Sequence, residues 1–272
     1  MEVLKNEDGM FLKEVNCFDL DLTLNCGQAF RWYKTNEGIW HGIAFGKILE
    51  ICQTDSGIIF FHVSAEEFNN IWRSYFDLDR DYSNLCESFC ADRSLKTAVE
   101  LFPGIHILRQ EPWETLCSFI ISQNNNIPRI KGIIKRLCEF FGEPLSANDF
   151  SFPGAERISM LSVDDLAPIR AGFRAKYIID AAQKAAKGEI DLDRLASMPL
   201  EHARCELIKI KGVGSKVADC TLLYGCGQTD AFPVDVWVKR VMAELYPNGL
   251  PECVKGSQGI AQQYLFHWRR QQ

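Results

Sequence analysis

The spacing of apolar residues changes period once, near Ser64, and that change fixes the kind of fold available. Between residues 24 and 63, β-branched and aromatic residues come in short runs. These are Phe30 to Tyr33, Ile39 to Phe45, Lys47 to Cys52 and Ile58 to Val63, with Gly38, Gly46 and Gly57 between them. Short runs punctuated by glycine read as strands joined by tight turns, and their spacing predicts an antiparallel meander. From Ser64 the spacing becomes helical. Ser64 and Glu67 have capping-box spacing ahead of Phe68, Ile71, Trp72 and Tyr75. Further helices are predicted near 83–101, 112–124, 128–141, 173–188, 200–210, 215–225, 235–245 and 256–268. Pro128 suits a first helical turn and Gly142 a helix end. Strands followed by a run of helices make an α+β fold. The expected division is an N-terminal antiparallel β-sheet domain over 1–85 and a mostly α-helical domain over 86–272. The boundary follows the polar stretch Asp77-Leu78-Asp79-Arg80-Asp81.

Several function classes drop out on composition. No apolar run approaches the roughly 18 residues of a membrane helix. The first ten residues carry four charges and no apolar core, unlike a secretory signal. The expectation is an intracellular protein with no membrane partner, monomeric by default. The 11 cysteines are odd in number and scattered. None forms a CxxC or a zinc-finger pairing with histidine, so they read as reduced thiols. The C-terminal stretch lacks a cysteine quartet, which excludes an iron–sulfur cluster there. The net charge of −6 argues against a nucleic-acid partner until the chain is divided. Residues 1–85 hold 7 basic and 14 acidic side chains; residues 166–216 hold 10 basic and 6 acidic. Local charge decides phosphate binding more than the total does.

The basic stretch ends in Leu207-Ile208-Lys209-Ile210-Lys211-Gly212-Val213-Gly214-Ser215-Lys216-Val217-Ala218-Asp219-Cys220. A helix closes, a Gly-Val-Gly hairpin follows, and Ser215 can cap a second helix. Gly212 and Gly214 let backbone N–H groups approach a phosphate. A dinucleotide loop would need glycine at 217, and a P-loop would need glycine at 207 and lysine at 213; neither pattern is met. An ordinary glycine-closed helix turn remains the plain alternative. Lys216 falls in the first turn of the second helix, where the helix dipole disfavours an ammonium. Such a site suits an amine that must act as a nucleophile. Asp235, in Pro233-Val234-Asp235-Val236-Trp237, can cap the next helix. A chain folding back through 226–234 could bring its carboxylate near Lys216, to take a proton or steady positive charge on a sugar.

The run Gly212 to Cys220 together with Pro233 to Val236 resembles the 8-oxoguanine DNA glycosylase/AP lyases of the helix-hairpin-helix superfamily. Further pieces stand in the family's order. They are Cys26-Gly27-Gln28-Ala29-Phe30-Arg31-Trp32, Leu108-Arg109-Gln110-Glu111-Pro112, Ser122-Gln123-Asn124-Asn125-Asn126-Ile127-Pro128-Arg129-Ile130, Gly172 to Tyr177 and Gly259 to Phe266. The resemblance implies a bifunctional enzyme that flips 8-oxoguanine out of duplex DNA and excises it. Lys216 would attack C1′ and form a Schiff base, and β-elimination would break the strand. Asp235 would assist.

The same resemblance assigns the binding residues. The base would lie between Phe266 and Cys220, with Gln262 on its Watson–Crick edge. The Gly27 carbonyl would accept the N7–H that 8-oxoguanine has and guanine lacks. Asn124 would fill the vacated stack, and Arg129, Arg174 and Phe173 would contact the orphaned cytosine. Gly212, Gly214 and Trp237 would meet the DNA backbone. No cofactor is required. The carbonyls of Ile208, Ile210 and Val213 could hold a structural monovalent cation. The implied partner is double-stranded DNA carrying an oxidised base, and the implied place is cytoplasm or nucleoid in a prokaryote, or a nucleus. The chain departs from the animal pattern at Lys211 (proline), Trp237 (histidine), Arg269 (carboxylate) and Phe173 (tyrosine). A sister glycosylase for another base and a non-catalytic DNA-gripping module are the alternatives.

Overall fold

The computed structural model describes residues 2–13 and 15–272. Six strands form one antiparallel sheet in the order β1-β2-β6-β5-β4-β3. They are β1 (Glu2–Lys5), β2 (Gly9–Lys13), β3 (Trp32–Lys34), β4 (Trp40–Ala44), β5 (Lys47–Thr54) and β6 (Gly57–Phe61). The last four are the meander expected from the glycine-punctuated runs. β1 and β2 escape a reading by periodicity because β1 is a largely exposed edge carrying Glu2 and Lys5. Only Met10 and Leu12 of β2 are buried.

Two expectations for the N-terminal region need correction. Residues 24 to 31 are not strand. Leu20–Asn25 is a helix whose N-cap Asp19 accepts from the Leu22 N–H at 2.7 Å. Leu20 and Leu24, one turn apart, are its buried face. The chain then turns through Gly27, so β3 begins at Trp32. The capping box at Ser64 is only half made. Ser64 Oγ accepts from Glu67 N–H at 3.1 Å, but the Glu67 carboxylate accepts from the Trp72 indole at 2.9 Å instead.

One face of the sheet buries Leu12, Trp32, Trp40, Leu49, Ile58 and Phe60 against Phe68, Trp72, Tyr75 and Phe76. Each such side chain contributes about 1.5–3 kcal/mol when withdrawn from water. The Trp32 indole donates to Tyr75 Oη at 2.7 Å. Its ring lies flat on Gly42, where a Cβ would sit 2.1 Å from it. Leu108 joins this core from the helical side, while Cys26 and Phe30 join the helical core from the sheet side.

The junction is stitched by Gln28. Its Nε2 donates to the carbonyls of Thr23 (2.9 Å) and His106 (2.7 Å), and its Oε1 accepts from Leu108 N–H at 2.9 Å. His106 stacks on Tyr82 with centroids 3.7 Å apart. These contacts fix the turn at Gly27, which faces the site described below.

The expected helix over 83–101 is two helices, Tyr82–Phe89 and Arg93–Leu101, because Asp92 caps the second through the N–H groups of Ser94 and Leu95. Pro112–Ser122, Ile127–Phe141, Ala175–Ala186, Leu200–Ile208, Ser215–Tyr224, Val236–Leu245 and Gln258–Arg270 lie where they were expected. Pro128 sits in a first turn and Gly142 is a C-cap. Ala155–Ser159 is a short helix that the patterning missed.

Candidate active site

The helices Leu200–Ile208 and Ser215–Tyr224 are joined by the Gly212 hairpin. Gly212 has φ +77°, and a Cβ there would meet the Tyr177 ring at 2.4 Å. Both conformation and contact therefore require glycine. Ser215 does not cap the second helix: Gly214 occupies the N-cap position, with no side-chain cap. A Cβ on Gly214 would meet nothing within 4 Å, so its backbone faces open space. Lys211 N–H donates to Asp180 Oδ2 at 2.8 Å, a bond that a proline could not make. Arg204 braces the hairpin from behind, its Nε 2.7 Å from the buried Asp219 carboxylate.

Lys216, second in its helix, reaches into a cavity of about 420 Å³. Its Nζ donates to Ser122 Oγ at 3.2 Å and lies 4.9 Å from the centre of the Phe119 ring. Phe119 in turn stacks on Tyr224 at 5.3 Å and meets Phe30 edge-on at 5.7 Å, so the amine sits over an aromatic floor. Asp235 lines the same cavity. It also caps the helix Val236–Leu245, accepting from Trp237 N–H at 3.0 Å and Val238 N–H at 2.9 Å. Among the described residues Lys216 and Asp235 form no ion pair within 4.0 Å, which leaves space between amine and carboxylate.

Cys220 and Phe266 stand on the cavity wall. Burial pushes the Cys220 thiol up to about 11, against the pull of the Lys216 ammonium, so it is a neutral, soft surface and no competing nucleophile. The buried Gln262 lines the cavity, and its Oε1 has no hydrogen-bond partner. Gly27 has φ +90°. The two carbonyls beside it are tied: Cys26 O accepts from Gln263 Nε2 at 3.1 Å, and Gln28 O from Gln110 Nε2 at 2.8 Å. The Gly27 carbonyl between them accepts from no described residue.

Asn124, Arg129, Phe173, Arg174 and the two hairpin glycines stand outside the cavity lining. Asn125 and Asn126 are spent on structure, the first on the Ile121 carbonyl at 3.0 Å, the second capping the helix from Ile127. Asn124 is exposed and held at φ +46°. Arg129 is exposed. Arg174 is not: it is buried, and its guanidinium donates to the carbonyls of Gln123, Asn124 and Ala171. It therefore holds the Asn124 turn in shape, with one N–H left over. Phe173 is 48% exposed and stacks on that guanidinium at 4.4 Å. Trp237 packs beneath Arg240 at 5.2 Å, and Arg269 pairs with Glu244 at 2.6 Å. The two departures from the animal pattern thus make separate contacts.

Sequence reasoning missed Phe119, Ser122 and Arg270 as cavity residues. A helical wheel carried the signal. Phe119 and Ser122 are three apart on one face, and Arg270 is one turn beyond Phe266. Among the described residues no group of three or more His, Cys, Asp or Glu side chains comes together to hold a metal. Among the described residues no helix is long and apolar enough to cross a membrane.

Similarity to known proteins points to one family. Residues 10–116 match the family described as 8-oxoguanine DNA glycosylase, N-terminal domain. Residues 117–251 match the HhH-GPD superfamily base excision DNA repair protein family. The chain is 34% identical to the N-glycosylase/DNA lyase of Saccharomyces cerevisiae over 82% of its own length and 67% of the relative's. It is 28% identical to the probable N-glycosylase/DNA lyase of Methanothermobacter thermautotrophicus, covering 86% and 84%. The fold superposes on the Clostridium acetobutylicum 8-oxoguanine glycosylase/lyase bound to duplex DNA with cytosine opposite 8-oxoguanine. The TM-score is 0.94 and the identity 37%, over 100% of this chain and 98% of that one.

Proposed function

The chain belongs to the 8-oxoguanine DNA glycosylases of the HhH-GPD superfamily, and from that premise we propose how its own residues carry out the reaction. It is a bifunctional N-glycosylase/DNA lyase that excises 8-oxoguanine from duplex DNA in base excision repair. The base leaves the stack, at a cost of a few kcal/mol, and enters the cavity between Phe266 and Cys220. Its N7–H meets the free Gly27 carbonyl. Guanine would set its N7 lone pair against that carbonyl in a dry site, an unmade hydrogen bond costing about 1–3 kcal/mol. The Gln262 amide oxygen takes an N–H of the Watson–Crick edge.

The Lys216 amine attacks C1′. The glycosidic bond breaks and the base departs with the bonding electrons. Asp235 takes the amine proton and balances positive charge on the sugar. Asp235 returns that proton to O4′ as the C1′–O4′ bond breaks, leaving a protonated Schiff base; this acidifies C2′–H, and loss of that proton expels the 3′ phosphate. Asn124 on its strained turn fills the gap in the stack, while Arg129, Phe173 and the spare Arg174 N–H meet the unpaired cytosine. Gly212, Gly214 and Trp237 hold the phosphates and sugars. The hairpin carbonyls of Ile208, Ile210 and Val213 suit a monovalent cation. Ile210 O accepts from Val213 N–H at 3.1 Å and keeps a second lone pair. Such an ion would add positive charge beneath the phosphates.

We also infer a division near residue 85, supported by the two apolar cores. A monomer acting inside the cell, with no iron–sulfur cluster, completes the reading.

The observation that carries this reading is that Lys216 and the buried Gln262, whose amide oxygen has no partner, line one cavity. Borohydride trapping tests it, on duplexes with and without 8-oxoguanine opposite cytosine, beside Lys216→Gln. The expected cross-link needs both the lesion and Lys216, and loss of the amine lowers excision by on the order of 10³ or more. Tight DNA binding with no cross-link on lesion or abasic duplex would instead leave a module that binds without cutting.

A further inference from the structure

We propose that Arg270 is a specificity-determining residue, donating to a carbonyl oxygen that flanks N7 of the flipped base. The proposal rests on the base pocket described above. Arg270 follows Phe266 by one helical turn, and its guanidinium carbon lies 5.1 Å from the centre of the Phe266 ring. It lines the cavity that holds Lys216 and Gln262. A Cβ placed on Gly27 would stand 3.2 Å from its Nη1. The arginine is therefore beside the Gly27 turn, whose carbonyl accepts from no described residue. A guanidinium carries five N–H donors, and among the described residues none of them reaches an acceptor. Arg269, next along the helix, spends its donors on Glu244 and Gln272; half-buried Arg270 donates to no described residue.

The chemistry of the lesion supplies the acceptor. In 8-oxoguanine the N7–H lies between two exocyclic oxygens, O8 on one side and O6 on the other. A base that gives its N7–H to Gly27 brings one of those oxygens to the side of the turn where Arg270 stands. Without a donor that oxygen would be buried and unpaired; with Arg270 it makes a charge-assisted hydrogen bond. Gly27 would then read the hydrogen and Arg270 the oxygen beside it.

Single-turnover excision by the whole protein tests this, using wild type, Arg270→Met and Arg270→Lys. Methionine keeps apolar packing over Phe266 and removes every donor. The duplexes carry 8-oxoguanine, its 8-thio analogue (sulfur for O8, N7–H kept), 8-oxo-2,6-diaminopurine (amine for O6) or an abasic site. Arg270→Met is expected to slow 8-oxoguanine release about 10-fold, and Arg270→Lys to slow it less. The wild-type preference for 8-oxoguanine over the analogue lacking the contacted oxygen should vanish in Arg270→Met. The abasic duplex, which offers no base to read, should be cut within about twofold of wild type. Unchanged 8-oxoguanine release in Arg270→Met would overturn the proposal. So would an equal loss on the abasic duplex, or analogue ratios identical in the two proteins, since either would make Arg270 a packing residue only. If the wild type itself released no 8-oxoguanine, the proposed function would fail first.

Discussion

Two buried glutamines, 1% and 3% exposed, divide the molecule into what it keeps for itself and what it holds open. Gln28, at the seam between sheet and helices, satisfies both ends of its amide on Thr23, His106 and Leu108. Gln262, on the cavity wall, leaves its amide oxygen without a partner. A folded chain pairs nearly all of its buried polar atoms, so an orphan marks a place where something else completes the pairing. The free Gly27 carbonyl and the idle Arg270 donors gather round the same cavity. The seam, by contrast, is closed on itself, and its role is to hold Gly27 where the cavity needs it.

The largest expected effect lies in the seam. Gln28→Leu leaves the buried His106 carbonyl and Leu108 N–H unpaired and the Thr23 carbonyl with only the Cys26 thiol at 3.2 Å, at roughly 1–3 kcal/mol for each unpaired group, and stability should fall by about 4 kcal/mol in urea unfolding. A loss below about 1 kcal/mol, the net worth of a single hydrogen bond, would mean that the seam is not closed in the sense argued. Next comes the pH dependence of its neighbour. Burial drives His106 down to about 4 from its usual 6.5, against the pull of the Phe76 and Cys17 carbonyls and of Asp77. Between those two pH values the unfolded chain binds a proton that the folded chain refuses. Stability is therefore complete above pH 6.5 and is lost as pH falls towards 4, by roughly 3 kcal/mol. The difference in unfolding free energy between pH 7 and pH 4.5 should shrink in His106→Gln. An unchanged difference would show that His106 folds in its charged form.

How much of this was legible in the sequence follows from how local each cause is. The Gly212 hairpin, Lys216 in a first turn and the Asp235 cap are local patterns, and they were readable. So was the meander, because glycines mark its turns. β1 and β2 were not: an exposed edge strand has no alternation to read, and β2 declares itself only when it pairs with β6. Leu20–Asn25 was hidden because its two buried leucines fit strand or helix equally; Asp19 was the available sign. Cys26 to Gln28 could be matched as a motif, but the free carbonyl at Gly27 depends on Gln110 and Gln263 binding its neighbours, more than 80 and 230 residues away. Arg174 could be recognised as an arginine near the site. Its burial against the Asn124 turn could not, since that is a property of the packed fold.

The smallest expected effect is also the one that separates the two glutamines most sharply. Replacing Gln262 by leucine removes a buried oxygen that has no partner in the free protein. The same substitution that wrecks the seam should therefore stabilise the cavity wall, by about 1 kcal/mol. It should also cost function. The Watson–Crick edge loses its acceptor, and single-turnover release of 8-oxoguanine should slow by about 10-fold, while an abasic duplex is cut at the wild-type rate. A variant more stable and less active is the mark of a residue kept for its ligand. If Gln262→Leu were instead destabilised as Gln28→Leu is, its oxygen would have a partner within the free protein, and the contrast between the closed seam and the open cavity would fail at its defining atom.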